Sequence, residues 1–268
     1  MLLLELNNLS KRFGGLTAVS KVDLAVRAGE VRGLIGPNGS GKSTLFNLIC
    51  GIYQPEPGGS IRFDGEDITD WQAHAIAQRG LARTFQLLRI FTGMSVLENM
   101  LIGHHSLIGY GSVAAVLGSG RMWVEEQRVR DEMLELLAFI GLADYADMPA
   151  GELSGGQRRL LALGRAMAMR PKLLLLDEPA AGLSPVNVEI LLETIGALKR
   201  RFGLTIIIIE HILKVVMDSC ETVSVLEHGE KIAEGPPAMI KSDHRVIEAY
   251  LGKEMQDDQV RAFLQSSA

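Results

Sequence analysis

The absences in this sequence narrow it before any motif does. No stretch approaches the ~18 consecutive apolar residues that cross a bilayer. The strongest runs, residues 173–176 and 206–209, are short and bounded by charged or polar residues, so they read as buried strands. The opening Met1-Leu2-Leu3-Leu4 is followed at once by Glu5 and Asn7, with no basic leader region and no cleavage signal. Neither secretion nor membrane spanning is expected, and any membrane association is expected to come through a partner. Cysteine is scarce: Cys50 and Cys220 lie far apart inside apolar segments, which suits two buried thiols in a reducing compartment rather than a disulfide. Positive charge is not in excess, since 27 basic residues face 32 acidic ones for a net charge of −5, so no global basic field argues for nucleic acid. The local cluster Lys199-Arg200-Arg201 falls where a helix should end, and cations there complement the helix dipole. His74, His104, His105, His228 and His244 show no metal-ligand spacing and read as structural. No internal repeat is present.

What is there centres on Gly36-Pro37-Asn38-Gly39-Ser40-Gly41-Lys42-Ser43-Thr44, which fits the phosphate-loop pattern G-x-x-x-x-G-K-[ST]. Residues 31–35 before it read as a strand and residues 45–50 after it as an apolar helix, the context that the pattern requires. The glycines let backbone N–H groups close around a polyphosphate, and the helix that follows turns its positive end to the same anion. Lys42 supplies a cation for the β- and γ-phosphates, and the Ser43 hydroxyl is a ligand for Mg²⁺.

Along the chain, residues 2–13 and 22–26 have a β pattern punctuated by Asn7-Asn8, Gly14-Gly15 and Ala28-Gly29. A Pro/Gly-rich linker at 55–59 leads into a strand at 60–63, a helix over 71–79 and a strand at 81–85. Beyond Gln86 the character changes. Ser95 caps a helix through residue 101, with Glu98 in capping-box position. Residues 104–120 are Gly- and Ser-rich and loop-like, and 121–140 form an amphipathic helix with an apolar stripe through Met133, Leu134, Leu137 and Ile140. Strand and helix then alternate: helix 154–169, strand 173–176, helix 186–201, strand 204–209, helix 212–217. A hairpin across His228-Gly229 and two short helices follow. This alternation predicts an α/β fold with a mainly parallel sheet, interrupted by a helical insert.

Two further stretches carry chemistry. The apolar strand at 173–176 ends in Asp177-Glu178, at the carboxyl end where an α/β sheet places its site. There Asp177 is expected to hold Mg²⁺ through water, and Glu178 to orient or deprotonate an attacking water. Leu153-Ser154-Gly155-Gly156-Gln157 is a helix start with a Ser cap and two glycines, a second anion-binding surface. One site does not need two phosphate cradles. Two cradles on one chain make sense when two chains pair head to tail, each closing the other's nucleotide.

With these motifs the sequence resembles the ATP-binding subunits of ABC transporters over nearly its whole length. Residues 36–44 match Walker A, Gln86 in Thr84-Phe85-Gln86 the Q-loop, 153–157 the ABC signature, 173–178 Walker B with its catalytic glutamate, and His211 the switch histidine. The resemblance implies a P-loop NTPase (RecA-like) core with an N-terminal antiparallel β-subdomain and an inserted α-helical subdomain. It places one ABC ATPase domain at 1–252, with its core at 1–86 and 158–252, the helical insert at 87–157 and a C-terminal tail at 253–268. It implies ATP and Mg²⁺ as ligands. Glu178, His211 and Lys42 become catalytic, and Gln86 joins Ser43 and Asp177 at the metal. Phe13, which as a bare aromatic near a turn reads as packing, falls where the family stacks an aromatic on adenine. Nucleotide binding is expected from Phe13, from Gly36, Pro37, Asn38, Gly39, Ser40, Gly41, Lys42, Ser43, Thr44 and Gln86, and in the partner's site from Ser154, Gly155, Gly156 and Gln157. One departure is visible: Ser184 stands where the family's D-loop usually has Asp, which leaves the catalytic set intact.

Within the family, Gly14-Gly15 after Phe13, Ala82-Arg83-Thr84-Phe85-Gln86, Glu178-Pro179-Ala180-Ala181-Gly182-Leu183 and the C-terminal Val246-Ile247-Glu248-Ala249-Tyr250-Leu251-Gly252 look like the ATPases of branched-chain amino acid importers. Urea importers and lipopolysaccharide exporters have similar ATPases. The implied partners are a second ABC ATPase of a different chain, transmembrane permease subunits and, indirectly, an extracytoplasmic substrate-binding protein, on the cytoplasmic face of a bacterial-type inner membrane. A ribosome- or DNA-acting ABC ATPase would carry a second cassette or long coiled coils, and neither is seen. A small-molecule kinase would have no use for residues 153–157.

Overall fold

The computed structural model describes residues 1–84, 90–104 and 120–251; Gln86, residues 105–119 of the expected loop-like insertion, and the tail from 252 lie outside them. Strand β1 (Leu2–Phe13) pairs antiparallel with β2 (Leu16–Arg27) on one side and with a later strand, β4 (Ser60–Phe63), on the other. The two-residue β5 (Glu66–Asp67) closes that edge. β2 starts six residues before the expected strand at 22–26. Register shifts along β1 and β2 at Leu6/Leu9, Leu9/Lys11 and Lys11/Arg12 break the period-two alternation there, so the hairpin is longer than its pattern.

The second sheet has the order β10-β9-β3-β8-β7-β6. Strands β3 (Val31–Ile35), β6 (Leu81–Arg83), β7 (Leu173–Asp177), β8 (Thr205–Ile209) and β9 (Thr222–Glu227) run parallel, and β10 (Glu230–Gly235) turns back antiparallel on β9. Every residue of β3, β7 and β8 is buried, as expected of parallel strands covered on both faces. Leu173, Leu175, Ile207 and Ile209 point to one core, shared with the β1–β2 sheet and helix α1 (Lys42–Ile49), which α2 (Ala73–Gln78) flanks. Leu174, Leu176, Ile206 and Ile208 point to the other, against helices named below in chain order.

A third apolar cluster joins α3 (Val96–His104) to α4 (Gly120–Phe139), forming the expected helical unit. The Ser95–Glu98 capping box is formed, with Ser95 N–H donating to Glu98 Oε2 at 2.7 Å and Glu98 N–H to Ser95 Oγ at 3.1 Å. α3 runs three residues past the expected end, to His104, whose buried Nδ1 lies 3.1 Å from the Ala168 carbonyl. Helix α5 (Gly155–Met167) serves two cores, since Leu161 belongs to the helical cluster while Leu163, Ala166 and Met167 belong to the sheet. α6 (Pro185–Phe202), α7 (Leu213–Ser219), α8 (Pro237–Ser242) and α9 (His244–Leu251) complete that face.

Candidate nucleotide site

The strand order puts the expected residues along one edge. β3 delivers the phosphate loop, its neighbour β8 leads into Glu210-His211, and the next strand, β7, ends in Asp177 just before Glu178. The loop and the acids are thus two strand spacings apart, about 10 Å, with His211 between them. This is the carboxyl edge at which open α/β sheets bind ligands.

Within the loop, Gly36 (φ 149°) and Gly41 (φ 101°) adopt backbone conformations that side chains resist. A Cβ would also lie 2.0 Å from the Leu226 carbonyl oxygen at Gly36, and 2.4 Å from that of Ala18 at Gly41. The loop is therefore gripped between β2 and β9, and Gly229 N–H donates to the Ser40 carbonyl at 3.0 Å. Lys42 is buried, and its Nζ donates to the Gly36 and Pro37 carbonyls at 2.7 and 2.9 Å and to Ser40 Oγ at 3.4 Å. Its ammonium is held at the loop's own backbone. Asn38, Gly39 and Ser43 are exposed and Thr44 is half-buried at the start of α1. Phe13 pairs with Leu16 at the tip of the β1–β2 hairpin and remains 43% exposed. Its ring packs edge-on against Tyr53 at 5.2 Å, which holds it while leaving surface for stacking.

Asp177 is buried, and its Oδ2 accepts from Arg83 Nη2 at 2.6 Å. Arg83 also donates to Asn47 Oδ1 at 2.6 Å and lies over the Phe46 ring, both on α1. One guanidinium thus ties the acid strand to the helix that leaves the phosphate loop. Arg83 was not expected in the site; the available signal was a charge closing the strand that leads to Gln86. The donors present for a magnesium ion are the Ser43 hydroxyl and the Asp177 carboxylate, the oxygen chemistry this ion takes, so the site fits it.

Glu178 occupies the left-handed region at φ 48°. Its N–H donates to the Ile209 carbonyl at 2.9 Å, and its Oε1 lies 2.6 Å from His211 Nε2. Two of the three expected catalytic side chains, Glu178 and His211, are in direct contact. Beneath them lies Glu210, buried and not singled out from sequence. Its Oε1 accepts from Ala180 N–H at 2.6 Å, and its Oε2 accepts from His211 and Ile212 N–H at 3.0 and 3.2 Å. Burial pushes the Glu210 carboxyl above its ordinary range, while the three amide donors pull it back.

At the second cradle, Ser154 Oγ accepts from Gln157 N–H at 3.3 Å and Gln157 Oε1 accepts from Ser154 N–H at 2.9 Å, a complete capping box on α5. Gly155 is exposed, whereas a Cβ on Gly156 would lie 3.0 Å from Asn187 of α6. Ser184, at the D-loop departure, has a helical reason for its identity: its Oγ caps α6 by accepting from Asn187 N–H at 3.4 Å.

Together these features define a phosphate-loop ATPase with a second, outward-facing helix start beside the Glu178 loop. Residues 19–181 match the ABC transporter family, and residues 230–255 match the branched-chain amino acid ATP-binding cassette transporter family. The chain belongs to the ABC transporter family, as an ATP-hydrolysing cassette. Over 251 residues it is 39% identical to the high-affinity branched-chain amino acid transport ATP-binding protein of Pseudomonas aeruginosa, an alignment covering 94% of this chain and 98% of the relative. The crystal structure of the ADP conformation of an ABC transporter's ATP-binding cassette superposes with a TM-score of 0.82 at 36% identity, covering 94% of this chain and 100% of that one. A dimeric bacterial ABC transporter cassette gives 0.72 at 27% identity, over 87% of this chain and 98% of that one.

Proposed function

We propose that this chain is the ATP-hydrolysing subunit of a branched-chain amino acid importer, docked peripherally on a permease at the cytoplasmic face of the membrane. The contact of Glu178, two strands from the phosphate loop, with His211, one strand from it, carries the hydrolytic part of this reading. The match at 230–255 and the named substrate of the Pseudomonas relative support the choice of cargo. We divide the chain into a core at 1–86 and 158–252 and a helical insert at 87–157 that faces the permease. Its partner is a second cassette, read as a different chain, placed head to tail, with an extracytoplasmic binding protein delivering the amino acid.

In this reading Phe13 stacks on adenine, and the backbone N–H groups of residues 36–44 surround the phosphates. Lys42, whose hydrogen bonds to Gly36 and Pro37 already hold it within the loop, exchanges them for phosphate oxygens. Ser43, Asp177 and Gln86 hold Mg²⁺, which when bound offsets charge on the phosphates. Ser154, Gly155, Gly156 and Gln157 close on the partner's γ-phosphate, so nucleotide shifts the pair toward closure. Glu178 Oε1 orients the attacking water or takes its proton. His211, at hydrogen-bond distance from that oxygen, fixes its direction and meets the γ-phosphate. Most of the acceleration is positioning and charge stabilisation.

The test uses the complete transporter in proteoliposomes. Glu178→Gln should retain ATP binding, trap the closed pair and lower kcat by about a hundred- to ten-thousandfold. Uptake of labelled leucine should depend on ATP in the unaltered complex and stop in the variant. Normal hydrolysis by Glu178→Gln would remove the base assignment, and ATP-driven uptake of urea but not leucine would remove the cargo assignment.

A further inference from the structure

Helix α5 begins with the residues that are to meet the partner's nucleotide, and it is bonded directly to the loop that acts on this chain's own. Arg159, half-buried two residues after Gln157, donates from Nη1 to the Glu178 carbonyl at 2.7 Å and from Nη2 to the Ala181 carbonyl at 2.8 Å. The same short loop is held from the other side by Glu210, through the Ala180 N–H. Glu178 thus keeps its left-handed backbone between two charged groups, the half-buried Arg159 on α5 and the buried Glu210 beside His211. Such a conformation is disfavoured for a non-glycine residue unless its surroundings fix it. Charge-assisted bonds to both carbonyls supply that fixation. Arg158, the adjacent residue, turns away and donates to the Gly151 carbonyl at 2.7 Å, so the link belongs to Arg159 alone of the two.

We infer that Arg159 is a positioning residue that ties the signature helix to the Glu178 loop, so that engagement of Ser154–Gln157 on the partner's nucleotide sets the catalytic carboxylate of the same chain. The inference rests on the hydrolytic role of Glu178 proposed above. A rigid two-bond strut transmits a displacement of α5 to the Glu178 backbone within the same chain. A misplacement of about 1 Å at a reacting group costs up to about a hundredfold in rate.

The experiment places Arg159→Gln, Arg159→Lys or Arg158→Gln in this chain of the assembled transporter and measures steady-state hydrolysis, normalised to titrated ATP sites. Arg159→Gln should lower kcat by about ten- to a hundredfold while KM for ATP stays within about twofold, and Arg159→Lys should recover part of the loss. Arg158→Gln, which removes the same charge from the same turn, should leave kcat within about twofold. Nucleotide-trapped closure in a Glu178→Gln background should survive Arg159→Gln. A purely structural arginine would instead lower the titrated sites and leave kcat per site unchanged, and that result overturns the inference. So does an equal loss with Arg158→Gln, or no rescue by lysine. Normal hydrolysis by Glu178→Gln alone would sink the underlying assignment of the base, and it is read independently of any Arg159 variant.

Discussion

Arg83→Met tests the most consequential contact that the sequence did not announce. The pair Arg83–Asp177 is about nine-tenths buried on both sides, with Nη2 to Oδ2 at 2.6 Å, and Arg83 also bonds Asn47 and covers Phe46. Methionine approximates the arginine stem and keeps the contact with Phe46, so the perturbation is largely the lost charge. Removing one partner strands the other as an uncompensated buried charge, which costs about 3–5 kcal/mol. For a chain of this size that corresponds to a fall in Tm of roughly 6–20 °C. The assay is calorimetric and circular-dichroism unfolding without nucleotide, on the single variant and on Arg83→Met with Asp177→Asn. Because the second change removes the stranded charge, the double variant should recover roughly 1–3 kcal/mol relative to additivity. A single variant within about 1 kcal/mol of the parent, or a double variant that is simply additive, would refute the reasoning. In either case Asp177 would be supported by something other than Arg83.

Lys42→Ala should weaken ATP binding by roughly ten- to a hundredfold, the worth of a charge-assisted bond to phosphate, measured by calorimetric titration. Affinity equal to the parent would show that the loop's backbone alone binds. The two thiols should be silent in the folded chain. Burial pushes the Cys50 thiol up to about 11 against the opposing charge of Arg83, and it pushes the Cys220 thiol up to about 12. The reactive thiolate is then scarcer than in an exposed cysteine by about a hundredfold or more at pH 8. A chromogenic disulfide reagent at pH 8 should therefore release colour only after denaturation, and prompt labelling of the native protein would place at least one thiol at the surface.

What could be read without coordinates shared one physical property: it was local. Strands β7 and β8 are uninterrupted apolar runs because both of their faces are buried, and that burial is written in consecutive residues. The phosphate loop and the α5 start were legible because their glycines and caps answer to backbone geometry within a few positions. β2 was half hidden because bulges in its pairing with β1 scramble the alternation by which a strand is recognised. The residues missed at the site all act across long separations. Arg83 reaches Asp177 across 94 positions, Glu210 reaches Ala180 across 30, and Arg159 reaches Glu178 across 19. Single charges of this kind leave no period or spacing to read, and only the strand order makes them neighbours.

The motif residues Lys42, Glu178 and His211 come from segments far apart in the sequence that meet at the carboxyl edge of the sheet, so their arrangement depends on registration between segments. The long-range charges supply that registration within the chain: Arg83 fixes β7 to α1, Glu210 fixes the Glu178 loop to the His211 loop, and Arg159 fixes the Glu178 loop to α5. Each uses hydrogen bonds from or to a buried or half-buried charged group, and such bonds are directional and hard to replace with water. A core of leucines and isoleucines sets spacing between layers but tolerates rotation and sliding of the segments on it. Hydrophobic burial therefore accounts for the stability of this fold, while these three charged residues fix how α1, α5 and the Glu178 and His211 loops sit on it.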